Sequence, residues 1–450
     1  MIIMPCGESY MAVDLTKGRT LPVLFRFSLP VIGGNLFQLF YTLADTLIVG
    51  QTIGEGALAA VGATSVFVYF ILCFITGMTG GFSIILAHDI GSRETENAKR
   101  NIVTSVYMSA AVTVVITAIT CLFSRQIIHL MRIPEAISED AYTYMVIVLA
   151  GTGATVLYNL ISNILRALGD SRLPLIYLVI SSLLNVFLDI LFIVPFGMGV
   201  GGAALATVLS QLLSGVLCFI SAIRRYPVMR IEKAYWKFDS LSMKRNLRLG
   251  FIMGFQMSVM CIGQVVMQSS VNRFGTAAIA GYTAATKMDQ LSVLINGSYV
   301  SAVSAFVSQN QGAGEDLRIR QGVKSSLLLA LITDAIIMGI IVLIEPFVVP
   351  LFVSNPSPDT FIYCRDFFLI TVPFYPLLGI LCVYRTAVQS LGNSRAPFAA
   401  CIAELIARCS ASVLLAMFVG YRGVVFSTPF AWLLADLIVV ISYARMMRRK

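Results

Sequence analysis

Apolar residues recur along this chain in stretches of about 20 or more, separated by short charged or turn-rich breaks. A helix rising 1.5 Å per residue needs that length to cross a hydrocarbon layer of about 30 Å. About twelve spans are predicted on this rule, near residues 24–48, 57–87, 96–123, 140–165, 172–194 and 199–223, then 246–272, 282–311, 320–345, 361–388, 396–419 and 423–445. The strands of an outer-membrane barrel would instead alternate over segments of about ten residues. The pattern therefore predicts an all-α integral membrane protein.

The pattern is also written twice. Gly54-Glu55-Gly56-Ala57-Leu58-Ala59-Ala60 returns loosely as Gly275-Thr276-Ala277-Ala278-Ile279-Ala280-Gly281, and Leu168-Gly169-Asp170-Ser171-Arg172-Leu173-Pro174 as Leu391-Gly392-Asn393-Ser394-Arg395-Ala396-Pro397. Ala87-His88-Asp89-Ile90-Gly91 is echoed by Ser308-Gln309-Asn310-Gln311-Gly312. With six spans per copy, both halves begin and end on the same side, so the repeats are parallel, a plan used by transporters. The chain divides into an N-lobe over 1–223, a linker over 224–245 and a C-lobe over 246–450.

Composition agrees with the span count. Hydrophobic residues make up 58% of the chain and charged residues 12%, against roughly 25% charged in soluble domains. The net charge of +9 reflects topology and no nucleic-acid partner. With both termini placed in the cytoplasm, about 25 of the 32 Lys and Arg lie on that side. They include Lys17, Arg19 and Arg26, the linker cations from Arg224 to Arg248, and the tail Arg445, Arg448, Arg449 and Lys450. The linker reads either as a strap at the lipid headgroups or as a plain solvated connector. No secretory signal is evident in the first twenty residues. Nine cysteines without metal-ligand spacing read as small apolar fillers. The only histidines are His88 and His129, and no catalytic or nucleotide-binding motif is present, so neither an enzyme nor an ATP-driven pump is expected.

Ionisable groups inside a bilayer cost about 2.5–3.5 kcal/mol each and call for a reason. The candidates are Asp45, Asp189, Lys287, Asp289, Asp334, Glu404, Arg408 and Asp436, with Lys287 and Arg408 the only intramembrane cations counted. Asp45 lies about 30 Å along the first span, Asp189 about 25 Å along the fifth, and Thr207 about 12 Å from the outer end of the sixth, so the three share a depth. Asn185, four residues before Asp189, is on the same face. Two carboxylates, an amide and a hydroxyl suit a hard cation, or hold a proton because two like charges do not both ionise cheaply. The alternative is structural hydrogen bonding between helices. Glu404 and Arg408, at i and i+4, read as an internal ion pair. The roles of Lys287, Asp289, Asp334 and Asp436 stay open.

Two further features bear on transport. Gln38, Tyr41 and Asp45 form one stripe, and Gln256, Met260, Gln264 and Gln268 form another at intervals of four. Such surfaces bind flat, weakly cationic solutes by area and cation–π contact, or else hydrogen-bond across helices. Pro30, inside the first span, removes a backbone hydrogen bond and creates a bending point.

Leu29-Pro30 through Asp45-Thr46 to Gly62, Arg166-Ala167-Leu168-Gly169-Asp170-Ser171, Asn185-Val186-Phe187-Leu188-Asp189, Gly201-Gly202-Ala203-Ala204-Leu205-Ala206-Thr207 and Gln309-Asn310-Gln311-Gly312-Ala313-Gly314 together resemble the MATE family of multidrug and toxic compound extrusion transporters. The resemblance covers essentially the whole chain. It is strongest to bacterial DinF-like members, because the acidic cluster lies in the N-terminal half. NorM-like members carry acids in the seventh and inner tenth spans, and here Asp366 lies only at the outer end of the tenth.

The resemblance implies twelve transmembrane helices in two pseudo-symmetric six-helix bundles, a V-shaped all-α membrane fold. It implies a monomeric, multi-pass antiporter of the bacterial inner membrane, with no cofactor, exporting organic cations or amphiphilic drugs in exchange for H+ or Na+. In such proteins the residues matching Asp45, Asn185, Asp189 and Thr207 bind the coupling ion, the proline matching Pro30 lets the first helix bend, and a further asparagine, Asn159 or Asn163, joins the site. A lipid-linked precursor flippase of the same superfamily is the rival reading and would need a basic cavity. By direct offset Asp45 aligns with Val266, Asp189 with Ser412 and Asn185 with Arg408, so the acids belong to one copy only.

Overall fold

The computed structural model describes residues 13–131, 133–237, 239–352 and 356–448. The first twelve residues, read above for a signal, and Arg449 and Lys450 of the basic tail lie outside them. The N-terminal helices are α1 (Thr20–Thr52), α2 (Glu55–Gly91), α3 (Thr95–Leu122), the short α4 (Ser124–Leu130), α5 (Glu135–Ala150), α6 (Thr152–Ala167), α7 (Arg172–Ile193) and α8 (Gly199–Arg225). After a linker come α9 (Ser240–Asn246), α10 (Ile252–Val271), α11 (Thr276–Gly312), α12 (Asp316–Phe352), α13 (Pro358–Thr371), α14 (Tyr375–Ser390), α15 (Arg395–Val419) and α16 (Tyr421–Arg448). Among the described residues eleven helices, or helices joined by tight breaks, are long and apolar enough to cross a membrane, and one bent pair makes a twelfth.

Three spans depart from the single straight helices predicted. The fourth is two helices, α5 and α6, meeting at 42°. Gly151 stands at the break because a Cβ there would collide with the Val208 side chain of α8. The tenth is α13 and α14 around a 3-10 turn, Val372–Phe374, where Pro373 and Pro376 remove backbone donors. The seventh begins with a π-turn, Leu247–Phe251, ahead of α10. α1, by contrast, runs unbroken through Pro30.

The described residues fall into two compact units. The first holds Leu29–Gly254 and the chain up to Lys17, the second Gly18–Ser28 and Phe255 onward. This boundary lies at Gly254/Phe255, beyond the predicted linker end at 245. The change of unit along α1, at Ser28/Leu29, falls beside Pro30.

Within the first unit the linker is held closely. Tyr226 Oη donates to Asp170 Oδ2 at 2.6 Å, Lys99 Nζ meets Glu232 Oε1 at 3.1 Å, Tyr107 Oη donates to the Trp236 carbonyl at 3.1 Å and Arg245 Nη2 lies 3.6 Å from Asp89 Oδ1. Asp239 caps α9 by accepting from the Leu241 amide at 3.1 Å, and the Ser242 hydroxyl holds its carboxyl below the ordinary value. The π-turn then lies directly on α2, where side chains at Gly77 and Gly81 would strike the backbone at Met253 and Gly250. The segment is an anchored strap, which removes the plain solvated connector.

The repeated motifs build the same turns. Gly169 (φ 84°) and Gly392 (φ 85°) both occupy the left-handed region. Asp170 Oδ1 then accepts from the Arg172 and Leu173 amides at 3.0 and 3.1 Å, as Asn393 Oδ1 does from the Arg395 and Ala396 amides at 3.1 and 3.2 Å. At the ends of α2 and α11 the match is imperfect. Gly314 has φ 75°, whereas its counterpart is the non-glycine Arg93 at φ 61°. Side chains strain there by about 1 kcal/mol. Arg93→Gly is therefore expected to raise thermal stability and Gly314→Ala to lower it; melting curves of the purified variants moving in the same direction would contradict the shared turn.

Candidate functional site

In the first unit α7 and α8 form a helical hairpin that packs Asn185 against Thr207, whose Oγ1 accepts from Asn185 Nδ2 at 3.4 Å. Asp189 follows one turn after Asn185 and is fully buried. The Asp45 carboxyl, half-buried on α1, meets that of Asp189 at hydrogen-bonding range. Among the described residues none donates to Asp45 Oδ1, to either Asp189 oxygen or to Asn185 Oδ1. Four buried acceptors thus converge with nothing to satisfy them. Each unpaired buried polar atom costs on the order of 1–3 kcal/mol, and two touching carboxylates repel when both are charged.

A ring of neutral polar groups adjoins the pair. Tyr41 hydrogen-bonds with Gln211 of α8 and with Gln38 and Thr42 of its own helix. Tyr144 of α5 lies within electrostatic range of Asp45, Tyr41 and Asp189. Asn159 and Asn163 are engaged elsewhere. Asn159 Nδ2 donates to the Thr155 carbonyl at 2.9 Å, Asn163 Nδ2 to Thr79 Oγ1 at 3.0 Å, and Asn163 Oδ1 accepts from Arg166 Nη1 at 3.4 Å. No hydrogen bond joins either amide to the carboxyl pair among the described residues.

The second unit carries a different interior. Glu404 Oε1 meets Arg408 Nη2 at 2.8 Å, as their spacing predicts, and Oε2 meets Arg385 Nη2 of α14 at 2.6 Å. Arg385 is 8% exposed and was absent from the count of intramembrane cations, as was Arg166 at the end of α6. Asp334 Oδ1 accepts from Asn296 Nδ2 at 2.8 Å, Asp289 lies near Tyr375, and Asp436 faces Arg385 and Glu404 electrostatically; Asp334 Oδ2, Asp289 Oδ1 and both Asp436 oxygens receive no donor among the described residues. Lys287 is exposed. The predicted glutamine stripe does not present one face. Gln256 is buried and accepts from Gln389 Nε2 at 2.6 Å, Met260 is exposed with its Sδ facing Arg385, Gln268 donates to Asn272 at 3.0 Å, and Gln264 is exposed.

The MatE family model matches the chain twice, over residues 30–191 and 253–414. The chain belongs to the MatE family. The two matches are of equal length and are offset by 253 − 30 = 223 residues, so the family unit is itself the repeat. MatE proteins are membrane transporters and not enzymes, and this one is a multi-pass bacterial membrane protein. Among its relatives, the chain is 29% identical over 385 residues, 85% of each chain, to the probable multidrug resistance protein YpnP of Bacillus subtilis (strain 168). It is 24% identical over 426 residues, 92% of each, to a FAD transporter of Shewanella oneidensis. The fold matches an outward-facing multidrug resistance MATE family transporter of the MOP superfamily with a TM-score of 0.90 at 23% identity, covering 97% of this chain and 98% of the other. It also matches a MOP superfamily transporter from Pyrococcus furiosus with a TM-score of 0.91 at 22% identity, covering 99% of each.

In this MatE protein some site neighbours had a sequence signal and others none. Gln211 lies four residues after Thr207, on the same face of α8, and that spacing identifies it. Tyr144 has no local partner in sequence; only the packing of α5 brings it in. Arg385 sat in an apolar span and required a carboxylate, and Glu404 had one oxygen left after Arg408. Removing one member of such a buried pair costs about 3–5 kcal/mol because its partners stay charged. Glu404→Gln is expected to lower the melting temperature sharply, and adding Arg385→Met to recover part of the loss. An unchanged melting temperature in the single variant would remove the structural role.

Proposed function

We propose that this MatE protein exports organic cations or amphiphilic drugs in exchange for H+ or Na+, and that Asp45 and Asp189, with Asn185 and Thr207, hold the coupling ion. The observation that carries this reading is the set of four buried acceptors without a donor. A proton placed between the carboxyl groups supplies the absent hydrogen bond. A sodium ion would instead take the same oxygens as ligands. Either one removes a unit of charge from the middle of the first unit.

The coupling runs through α1. Tyr41 stands one turn before Asp45 and is bonded to Gln38 and Gln211, so loading or emptying the pair changes the field at the polar stripe where a cationic solute would bind. An organic cation near Asp45 and a coupling ion at Asp45 then compete for one negative charge, which is the thermodynamic requirement for exchange. Pro30 leaves the Arg26 carbonyl without its helical donor, and there α1 can change its bend. The relatives named for multidrug resistance and export support the substrate class. The basic loops support cytoplasmic termini, and a monomer suffices because all four acceptors come from one chain.

A second reading, a phosphate-bearing or lipid-linked substrate, gains weight from Arg385 and from the relative named as a FAD transporter. Both Arg385 and Arg408 already share Glu404, which leaves them poorly placed to bind a further anion.

Efflux of a fluorescent organic cation from vesicles, under a proton gradient and separately under a sodium gradient, decides between them. Asp45→Asn and Asp189→Asn are each expected to reduce gradient-driven efflux at least about tenfold, with Asp366→Asn, which breaks a peripheral pair with Arg422, near wild type. Equal efflux by Asp45→Asn would sink the coupling site. Gradient-driven movement of FAD, with none of any cation, would favour the second reading.

A further inference from the structure

A cleft of about 830 Å³ opens in the first unit between α3, α6 and α8. Its walls are apolar, formed by residues such as Ala110, Leu157, Ile161 and Phe219. Ile102 and Val114 both border it, and twelve helical residues span about 18 Å. That is slightly more than half of a hydrocarbon core of about 30 Å, the depth of one leaflet. The cleft takes no part in the ion site.

One end is closed by the strap that follows α8. Trp236 stands there, 45% exposed, between this cleft and a second apolar one of about 460 Å³. Arg230 supplies the positive charge at the mouth. Its Nε and Nη2 donate to the Ile223 and Arg224 carbonyls at 3.1 Å each, which fixes the guanidinium at the end of α8 while its charge stays exposed. Glu232, the acid beside it, is neutralised by Lys99 at 3.1 Å. From Arg224 to Arg248 the chain carries eight Lys and Arg against two acids, and Lys233 and Lys237 are exposed. An apolar slot of leaflet depth thus meets a fixed cation and an interfacial tryptophan at the membrane boundary.

We propose that this cleft seats one acyl chain of an anionic phospholipid, with the lipid phosphate held at Arg230 and the strap lysines. The bilayer already offers an apolar medium, so chain burial by itself gives little selectivity, and the headgroup charge decides which lipid stays. Each cation near the surface contributes on the order of 1 kcal/mol toward an anionic headgroup, equivalent to about fivefold in affinity. Because Met229 and the strap are packed into the first unit, a bound lipid would brace α3 against α8 at their ends near the strap.

The test is native mass spectrometry of the delipidated full-length protein titrated with phosphatidylglycerol or phosphatidylcholine of identical chains, and with glycerol phosphate alone. One phosphatidylglycerol is expected to bind at least about fivefold more tightly than phosphatidylcholine, and glycerol phosphate not to bind measurably. Arg230→Gln should erase the preference, and Ala110→Trp, which fills the cleft from an exposed position, should remove the bound lipid at an unchanged melting temperature. Arg365→Gln, a charge change elsewhere, should alter neither. Equal binding of the two lipids, full phosphatidylglycerol binding by Ala110→Trp, or binding of glycerol phosphate without a chain would each overturn the proposal.

Discussion

A charge carried into a hydrocarbon layer must find its compensation inside the protein, since lipid supplies neither a counter-ion nor a hydrogen bond. The two units of this transporter answer that constraint differently. In the second, Glu404 receives Arg385 and Arg408 on its two oxygens and Asp334 Oδ1 accepts from Asn296, while Asp334 Oδ2, Asp289 Oδ1 and both Asp436 oxygens have no donor among the described residues. In the first, two carboxyls, Asp45 and Asp189, meet each other directly and Asn185 adds one more acceptor, with no donor among the described residues. An acid held by two arginines, as Glu404 is, stabilises one arrangement. Two touching carboxyls repel when both are charged, so on the proposed reading the stability of the pair depends on whether a proton or cation is present. The proposed transport cycle rests on this difference.

The duplication explains how both solutions fit one scaffold. What the copies share is backbone geometry: the left-handed glycines Gly169 and Gly392, the carboxyl or amide caps of Asp170 and Asn393, and the positive-φ glycines Gly54 (φ 120°) and Gly275 (φ 88°) that precede α2 and α11. These positions set helix ends and are indifferent to what the helix interiors carry. The interior side chains were free to diverge. Asp189 in one copy corresponds to Ser412 in the other, and Ser412 takes part in an ordinary hydroxyl contact with Ser270 at 3.5 Å.

Much of the fold was legible in the sequence because membrane insertion depends on local properties, chiefly length and apolarity. The predicted spans match the helices apart from a few residues at their ends. The departures have non-local causes. The break at Gly151 depends on Val208 approaching from α8, which no pattern near residue 151 reveals. The site was legible in part, for the same reason. Asn185 and Asp189 share a helix face by spacing, and depth arithmetic brought Asp45 level with them. Depth does not fix direction around a helix axis: Asn163 donates to Thr79 of another helix, and Asn159 donates to the Thr155 carbonyl of its own. Gln256, polar in an apolar span, is used in packing against Gln389.

The charge state of the Asp45–Asp189 pair is the quantity on which the functional reading turns, and infrared difference spectroscopy of the purified protein in membranes reads it without any transport assay. A pair that shares a proton gives a protonated-carboxyl band that is lost in Asp45→Asn or Asp189→Asn, or is displaced in the wild type when sodium is the ion held. A wild type without that band, and without bound sodium, would show that the four acceptors hold no ion and would contradict the coupling site.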